Sequence, residues 1–527
     1  MKRLDVGNDD NPSPDQSTAT RVRMDRAHTA IVSTLITLTK PRSHPREMPP
    51  NRAQDHRVQS LPERSRRGAF SPSPSPSFSH TLFSVMPSFQ ALASMILPML
   101  GIFAHLARVD AKEVDARPNI IFILADDVGL GETSFTGGDR FKTPQIDALA
   151  KGGTHFDHCY SMPMCGPSRF TFLTGRYPFR TGLASNNSFG KANAGTYAPT
   201  QKEITIATAL KAAGYATAAA GKWGQMPLEP SQWGFDESLG AGNGQYWKGK
   251  YTLNGKNETL AEGNYMPDVA HKFIVDFIGR HQKQPFFIYY PMIQVHIPIQ
   301  RTPESQPGAT DDQLYADNVA YMDKLVGKLI AELDRLKLRE KTLIIFAGDN
   351  GSIRPPAYTP VKGRLLSGNK ASMREGGSRV PMLANWPGTT PAGAVNPDLT
   401  DFADFFKTFA ELGGAKLPEG VTLDGQSLAP QIKGAKGTPR EWVYVELMGK
   451  SFACDARWKL TNDGNLFDLQ DAPFNEVLVA KGTTDAGALA AIKKLQLVLD
   501  GHKAAPWNGE AKTSKRGPAK HPQDPDQ

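Results

Sequence analysis

Over the first 85 residues apolar positions are scattered, apart from one short stretch at residues 31–38, and an SPSPSPSFS run fills 71–79. That pattern predicts an extension with no packed core. A run beginning at Met86, MPSFQALASMILPMLGIFAHLARVDA, is apolar but too short and interrupted for a stable membrane span, and it ends in Val109-Asp110-Ala111. An apolar stretch closed by small residues predicts a signal peptide over 86–111 and a secreted or periplasmic protein. Residues 1–85 are then sequence upstream of a true start at Met86; the alternative is a disordered extension followed by a core or anchoring helix.

From Pro118 the pattern changes to short, continuous apolar runs that alternate with amphipathic ones. NIIFILADD predicts a strand and a loop, TPQIDALAKGG a helix, and ITIATALKAAGYATAAAGKW a helix, a glycine turn and a strand. The same helix-then-strand order recurs in PDVAHKFIVDFIGRH with PFFIYYPM, and in DQLYADNVAYMDKLVGKLIAELDRL with TLIIFAGDNG; VPMLANWPG adds another strand. Strands apolar at every position are covered on both faces. This predicts an α/β domain over 118–435, its largely parallel sheet sandwiched by helices, with ligands at the carboxyl ends of the strands. From about Arg440, EWVYVELM, RWKLTND and NLFDLQD read as hairpin strands, followed by a helix near Ala488–Leu499. They predict a smaller antiparallel α+β subdomain over 436–506 and a flexible tail over 507–527.

The chain has 527 residues, room for both units, and its 39% hydrophobic and 22% charged residues exclude a wholly disordered or polytopic membrane chain. Its net charge of +8 raises the question of an anionic polymer partner. Residues 1–117 hold 16 Lys/Arg against 11 Asp/Glu and residues 501–527 hold 5 against 3, leaving 40 against 39 in the folded middle. The basicity lies in the flanks, so no nucleic-acid partner is expected.

Three cysteines, Cys159, Cys165 and Cys454, cannot form a disulfide framework. Cys165 stands in Pro163-Met164-Cys165-Gly166-Pro167-Ser168-Arg169, ahead of Phe170-Thr171-Phe172-Leu173-Thr174-Gly175. At a helix N-terminus, free N–H groups, the helix dipole and Arg169 favour an anion there. Taken alone, the residue equally fits a small buried thiol beside a proline turn. Asp126 and Asp127 follow one apolar strand, and Asp349 and Asn350 follow another. Adjacent carboxylates repel unless a cation neutralises them, and an all-oxygen set suits a hard divalent ion, though a solvated loop pair would look the same. No Cys/His spacing points to zinc.

The thirteen residues from Pro163 to Gly175 resemble the C-x-P-S-R signature of the sulfatase family, and the similarity runs from about Pro118 to Asp471. The resemblance implies an alkaline-phosphatase-like fold and a sulfuric ester hydrolase. It implies that a formylglycine-generating maturation enzyme converts Cys165 into formylglycine, the nucleophile, and that Asp126, Asp127, Asp349 and Asn350 bind Ca²⁺ together with that residue. Arg169, Lys222 in Gly221-Lys222-Trp223, Lys370 in Asn369-Lys370-Ala371 and His296 in Val295-His296-Ile297-Pro298 are similar to the sulfate-binding and catalytic set. Lysines cancel sulfate charge, and His296 or Lys370 donates a proton to the leaving alcohol. The expected substrate is a sulfated small molecule or carbohydrate, for which the loops Ser185–Thr200 and Glu229–Lys256 offer Asn, Gln, Tyr and Trp. One position departs from the family: Gly224-Gln225 follows Trp223 where a histidine usually stands. His155 and His158 are candidates to replace it. Two alternatives follow, a phosphodiester or phosphonate hydrolase on the same scaffold and a sulfated-glycan binding protein without turnover.

Overall fold

The computed structural model describes residues 117–183, 185–186, 203–223, 226, 228–353 and 359–502. The N-terminal extension, the signal-peptide stretch, Gly224-Gln225, most of the loop Ser185–Thr200 and the tail lie outside the described residues. Eleven strands form the main sheet: β1 (Asn119–Ala125), β2 (Thr154–Tyr160), β3 (Ala216–Lys222), β4 (Glu237–Ala241), β5 (Lys250–Leu253), β6 (Lys256–Thr259), β7 (Phe286–Pro291), β8 (Thr342–Gly348), β9 (Arg379–Val380), β10 (Met382–Asn385) and β11 (Ala394–Asp401). Their order is β11-β2-β10-β8-β1-β7-β3-β4-β5-β6, with β9 paired to β2. The centre, β8-β1-β7-β3-β4, is parallel, while β10, β5 and β6 make antiparallel pairs.

The continuous apolar runs have a simple cause. In β1, Ile121, Ile123 and Ala125 face one core and Ile120, Phe122 and Leu124 the other, so no position meets water. Helices Pro144–Lys151, Met266–Arg280 and Asp311–Arg335 cover the first face; Cys165–Thr174, Ile206–Ala212 and Asp404–Gly413 cover the second. Phe122 stacks on Phe172 with ring centroids 4.0 Å apart, and Phe405 meets both edge-on. That contact fixes the Cys165 helix against β1. Glu229–Lys256, expected to be a loop, carries β4 and β5 and leads into the exposed hairpin strand β6.

A second, antiparallel sheet follows: β12 (Val443–Leu447), β13 (Lys450–Cys454), β14 (Trp458–Thr461), β15 (Leu466–Asp468) and β16 (Val477–Leu478), with helix Ala486–Gly501 packed on β13 and β14. Its core contains Cys454, and Cys159 lies in the main core, both fully buried. Among the described residues no helix is long and apolar enough to cross a membrane.

Where the chain passes to the second sheet, buried Arg440 donates to both carboxylate oxygens of Asp404, at 2.9 and 3.0 Å, while Asp401 accepts from Tyr177 Oη at 2.9 Å. Burial pushes the Asp401 carboxyl up to about 7; Arg440 opposes the rise and Asp404 adds to it. An acid whose folded pKa is raised stabilises the fold below its unfolded value and loses that contribution as pH climbs to the folded one. Between roughly pH 4 and 7 the Tm of the wild type should therefore fall relative to Asp401→Asn, whose amide stays neutral. Parallel thermal melts of the two proteins across that range check this.

Candidate active site

β1 and β8 run in register, Ala125 beside Gly348, so the residues that follow them emerge at the same end of the sheet. The Asp349 N–H donates to Ala125 O at 3.0 Å, and the Asp127 N–H donates to Asp349 Oδ1 at 2.9 Å. Gly348 permits this crossing, since a Cβ there would lie 1.9 Å from Val128 O. Asp127 has φ +60°, a left-handed conformation that costs an ordinary residue roughly 1–2 kcal/mol and turns its carboxylate back beside that of Asp126. From β7, Gln294 O accepts from the Asp126 N–H at 2.9 Å and the Val295 N–H donates to Asp126 O at 2.7 Å, which brings His296 to the same place.

Around this turn the sequence-predicted residues converge. Lys222, at the end of β3, places Nζ 2.7 and 2.5 Å from the two oxygens of Asp126. Cys165 begins its helix with Sγ 3.5 Å from Asp126 Oδ1 and 3.6 Å from Asp127 Oδ1. Arg169, one turn later, donates to Asp349 Oδ2 from Nε at 3.0 Å and Nη2 at 2.7 Å. Lys370 donates to Asp127 Oδ1, Asn350 Nδ2 donates to the same oxygen at 2.8 Å, and His296 Nε2 stands 3.9 Å from Asp127 Oδ2. The three carboxylates and Cys165 are completely buried, whereas the Lys370 and His296 side chains are 19% and 17% exposed. The site therefore opens on the Lys370–His296 side.

The electrostatics follow from burial. Burial pushes the Cys165 thiol well above its usual value, and Asp349 adds to the rise, so the thiol stays protonated and donates to the Asp pair. The Asp126 carboxyl is likewise raised by burial, with Lys222 only partly offsetting it. Burial also acts on Asp349, but Arg169, Lys222 and Lys370 outweigh it and hold the carboxyl at about 2. Donors from Asp126, Asp127, Cys165 and Asp349 lie within 4.8 Å of one another. Asp127 Oδ2 and Asn350 Oδ1 are buried without a hydrogen-bond partner, which is costly unless something electropositive sits between them. Oxygen donors converging with orphaned lone pairs fit a hard divalent cation. The three Asp carboxylates are already balanced by Arg169, Lys222 and Lys370, so such a cation would leave the site positively charged and suited to an anionic ester.

A family model described as Sulfatase matches residues 118–415. The chain belongs to the sulfatase family. It is 32% identical to dog N-acetylgalactosamine-6-sulfatase over 367 residues, 62% of this chain and 68% of that protein. Human arylsulfatase A is 33% identical over 378 residues, covering 64% of this chain and 72% of its own. Among solved structures, Ps i-CgsB in complex with k-i-k-neocarrahexaose superposes with a TM-score of 0.63 at 29% identity, over 72% of this chain and 92% of that one. The family is one of sulfuric ester hydrolases, and the alkaline-phosphatase-like architecture expected from the signature is the one observed.

Two residues of this sulfatase escaped the sequence reading. Glu132, fully buried, accepts from the Gly129 N–H at 2.8 Å, from Thr359 Oγ1 at 2.8 Å and from Ser352 Oγ, tying the loop after β1 to the loop after β8. Its only signal is an acid in a glycine-rich turn, Gly129-Leu130-Gly131-Glu132, that directly follows Asp126-Asp127-Val128. Asn186 Oδ1 accepts from the Gly166 N–H at 2.8 Å and so caps the first turn of the Cys165 helix from another loop. His155 and His158 are not brought to the site. Sheet register sets His155 level with Leu383, Phe346 and Ile123, three strands from β1 and below its carboxyl end, and His158 pairs with Leu399 of β11. Among the described histidines only His296 joins the cluster.

Proposed function

We propose that this sulfatase is exported and cleaves sulfate esters of carbohydrates, using formylglycine made from Cys165 and a bound Ca²⁺. Asp126, Asp127, Asp349 and Asn350 would hold the ion together with the modified residue 165. The observation that carries this reading is the meeting of Cys165 with three buried carboxylates and two unpartnered oxygens at the strand ends. Formylglycine supplies, as its hydrate, a nucleophilic oxygen, and Ca²⁺ supplies charge stabilisation at sulfate. Lys222 and Lys370, lying on opposite carboxylates, neutralise the sulfate oxygens, and Arg169 keeps Asp349 ionised and correctly turned. His296, on the open side, is placed to protonate the departing alcohol oxygen. The relatives support a carbohydrate: one is an N-acetylgalactosamine-6-sulfatase, and another was solved with a neocarrahexaose. The test is co-expression with a formylglycine-generating enzyme and assay against an aryl sulfate and a panel of sulfated sugars. Turnover that does not depend on maturation, or turnover of phosphonate esters alone, would refute the reading.

Gly224 favours weighing a second reading, in which the protein binds sulfated glycans without turning them over. With a glycine where the family histidine usually stands, release of sulfate should be the slow half of the cycle. Rapid-mixing assays should then show a burst of one alcohol per active site before a slower steady rate, and Gly224→His should raise the steady rate several-fold, roughly 3- to 10-fold. Binding of a sulfated sugar by the mature protein with neither burst nor turnover would establish the second reading.

A further inference from the structure

Lys370 lies on a loop that the second sheet grips from outside. On the inner side, the Lys370 N–H donates to Ser352 O at 2.9 Å and the Ala371 N–H donates to Pro163 O at 2.8 Å, linking the loop to the segments after β8 and before Cys165. On the outer side, Glu476 and Lys459 form an ion pair in which each side chain is 1% exposed. Glu476 Oε1 accepts from the Glu375 N–H at 2.7 Å, and Lys459 Nζ donates to Met373 O at 3.3 Å. The Ser367 N–H donates to Pro473 O at 2.8 Å, so the turn that delivers Glu476 also holds the near end of the loop. Between these anchors Ala371, next to Lys370, is held at φ +65°, a backbone state that an alanine abandons unless its surroundings enforce it.

We propose that Glu476 is a positioning residue for Lys370, so that the second sheet completes the active site of the first. The ion pair fixes the carbonyl of residue 373 and the N–H of residue 375, which leaves the strained backbone at Ala371 one conformation and the Lys370 ammonium one place, over Asp127. The proposal rests on the role given to Lys370 in sulfate binding.

The test is a double-mutant cycle on the mature, full-length protein with 4-nitrophenyl sulfate. Glu476→Ala should lower kcat/KM by roughly 10- to 100-fold, the scale of an ångström's misplacement of a binding group. In a Lys370→Ala background the same change should cost less than about 2-fold, because the residue it positions is already gone. A purely structural role would cost the same factor in both backgrounds, and that additivity would overturn the proposal, as would unchanged kcat/KM in the single variant. Glu476→Gln keeps an acceptor for the Glu375 N–H and carries the cycle if the alanine variant fails to fold. Ala371→Gly, which accepts the left-handed state without strain, should restore part of the activity lost in either Glu476 variant. If the wild type does not turn over the ester at all, it is the sulfatase chemistry that fails, a result distinct from additivity.

Discussion

Replacing Cys165 by alanine should remove turnover of any sulfate ester by a factor on the order of 10⁴ to 10⁶, the range expected when a nucleophile is deleted. The fold should survive, because the thiol contributes only weak contacts at 3.5 and 3.6 Å and the helix it begins is anchored by Phe172 on Phe122 and Tyr289. Peptide mass spectrometry of active wild-type protein should show residue 165 lighter by the thiol-to-aldehyde difference. Cys165→Ser should be as inactive in turnover, since one hydroxyl lacks the second oxygen of an aldehyde hydrate. Full activity with an unmodified Cys165 would refute the assignment of the nucleophile.

The second large effect is expected at Asp349. Asp349→Ala removes one proposed metal ligand and also strips from Arg169 the oxygen that accepts two of its hydrogen bonds, leaving a guanidinium with 1% exposure whose other carboxylate contact is Asp126 at 3.5 Å. Leaving a buried charge uncompensated costs about 3–5 kcal/mol, so a fall in Tm should accompany loss of activity. Asp349→Asn keeps the shape and an acceptor oxygen. It should recover part of the stability but not the activity, because the amide is a weaker ligand for a hard cation. Metal analysis and thermal melts separate the two contributions. Chelation should inactivate the wild type, and Ca²⁺ should restore it better than Zn²⁺, as an all-oxygen donor set dictates.

How much was legible depended on how local the cause was. NIIFILA and TLIIFAG announce central strands because both faces of each are buried, and Asp126-Asp127 and Asp349-Asn350, which follow them, are at the site for that reason. Cys165, Lys222 and His296 were legible mainly through the family resemblance, helped by their places at the start of a helix, at the end of β3 and in the loop after β7. β11 was not: AVNPDLTD mixes a proline and polar residues, and its first half is only partly buried at the sheet edge. β13 hides in KSFAC because only its second half enters the core. Glu132, Asn186 and Glu476 were invisible for a different reason. Asn186 and Glu476 bond to backbone 20 and 101 positions away, with nothing in the surrounding few residues to distinguish them from solvated polar side chains, and Glu132 gains its role from Thr359, 227 positions on, which its glycine-rich turn does not announce.

The complete burial of Cys165 also sets a clock. If residue 165 is matured as proposed, a sulfate group would have only to pass Lys370 and His296, whereas the maturation enzyme would have to take the peptide around residue 165 into its own active site. In the folded chain that peptide is a helix whose every residue from Cys165 to Thr174 is buried. Conversion would then compete with folding, and a molecule that folded first should be a silent copy that later treatment with the maturation enzyme does not rescue. Slower folding, at lower temperature for example, would give conversion longer to act, so the specific activity of a preparation would record the outcome of that race rather than the intrinsic speed of the site.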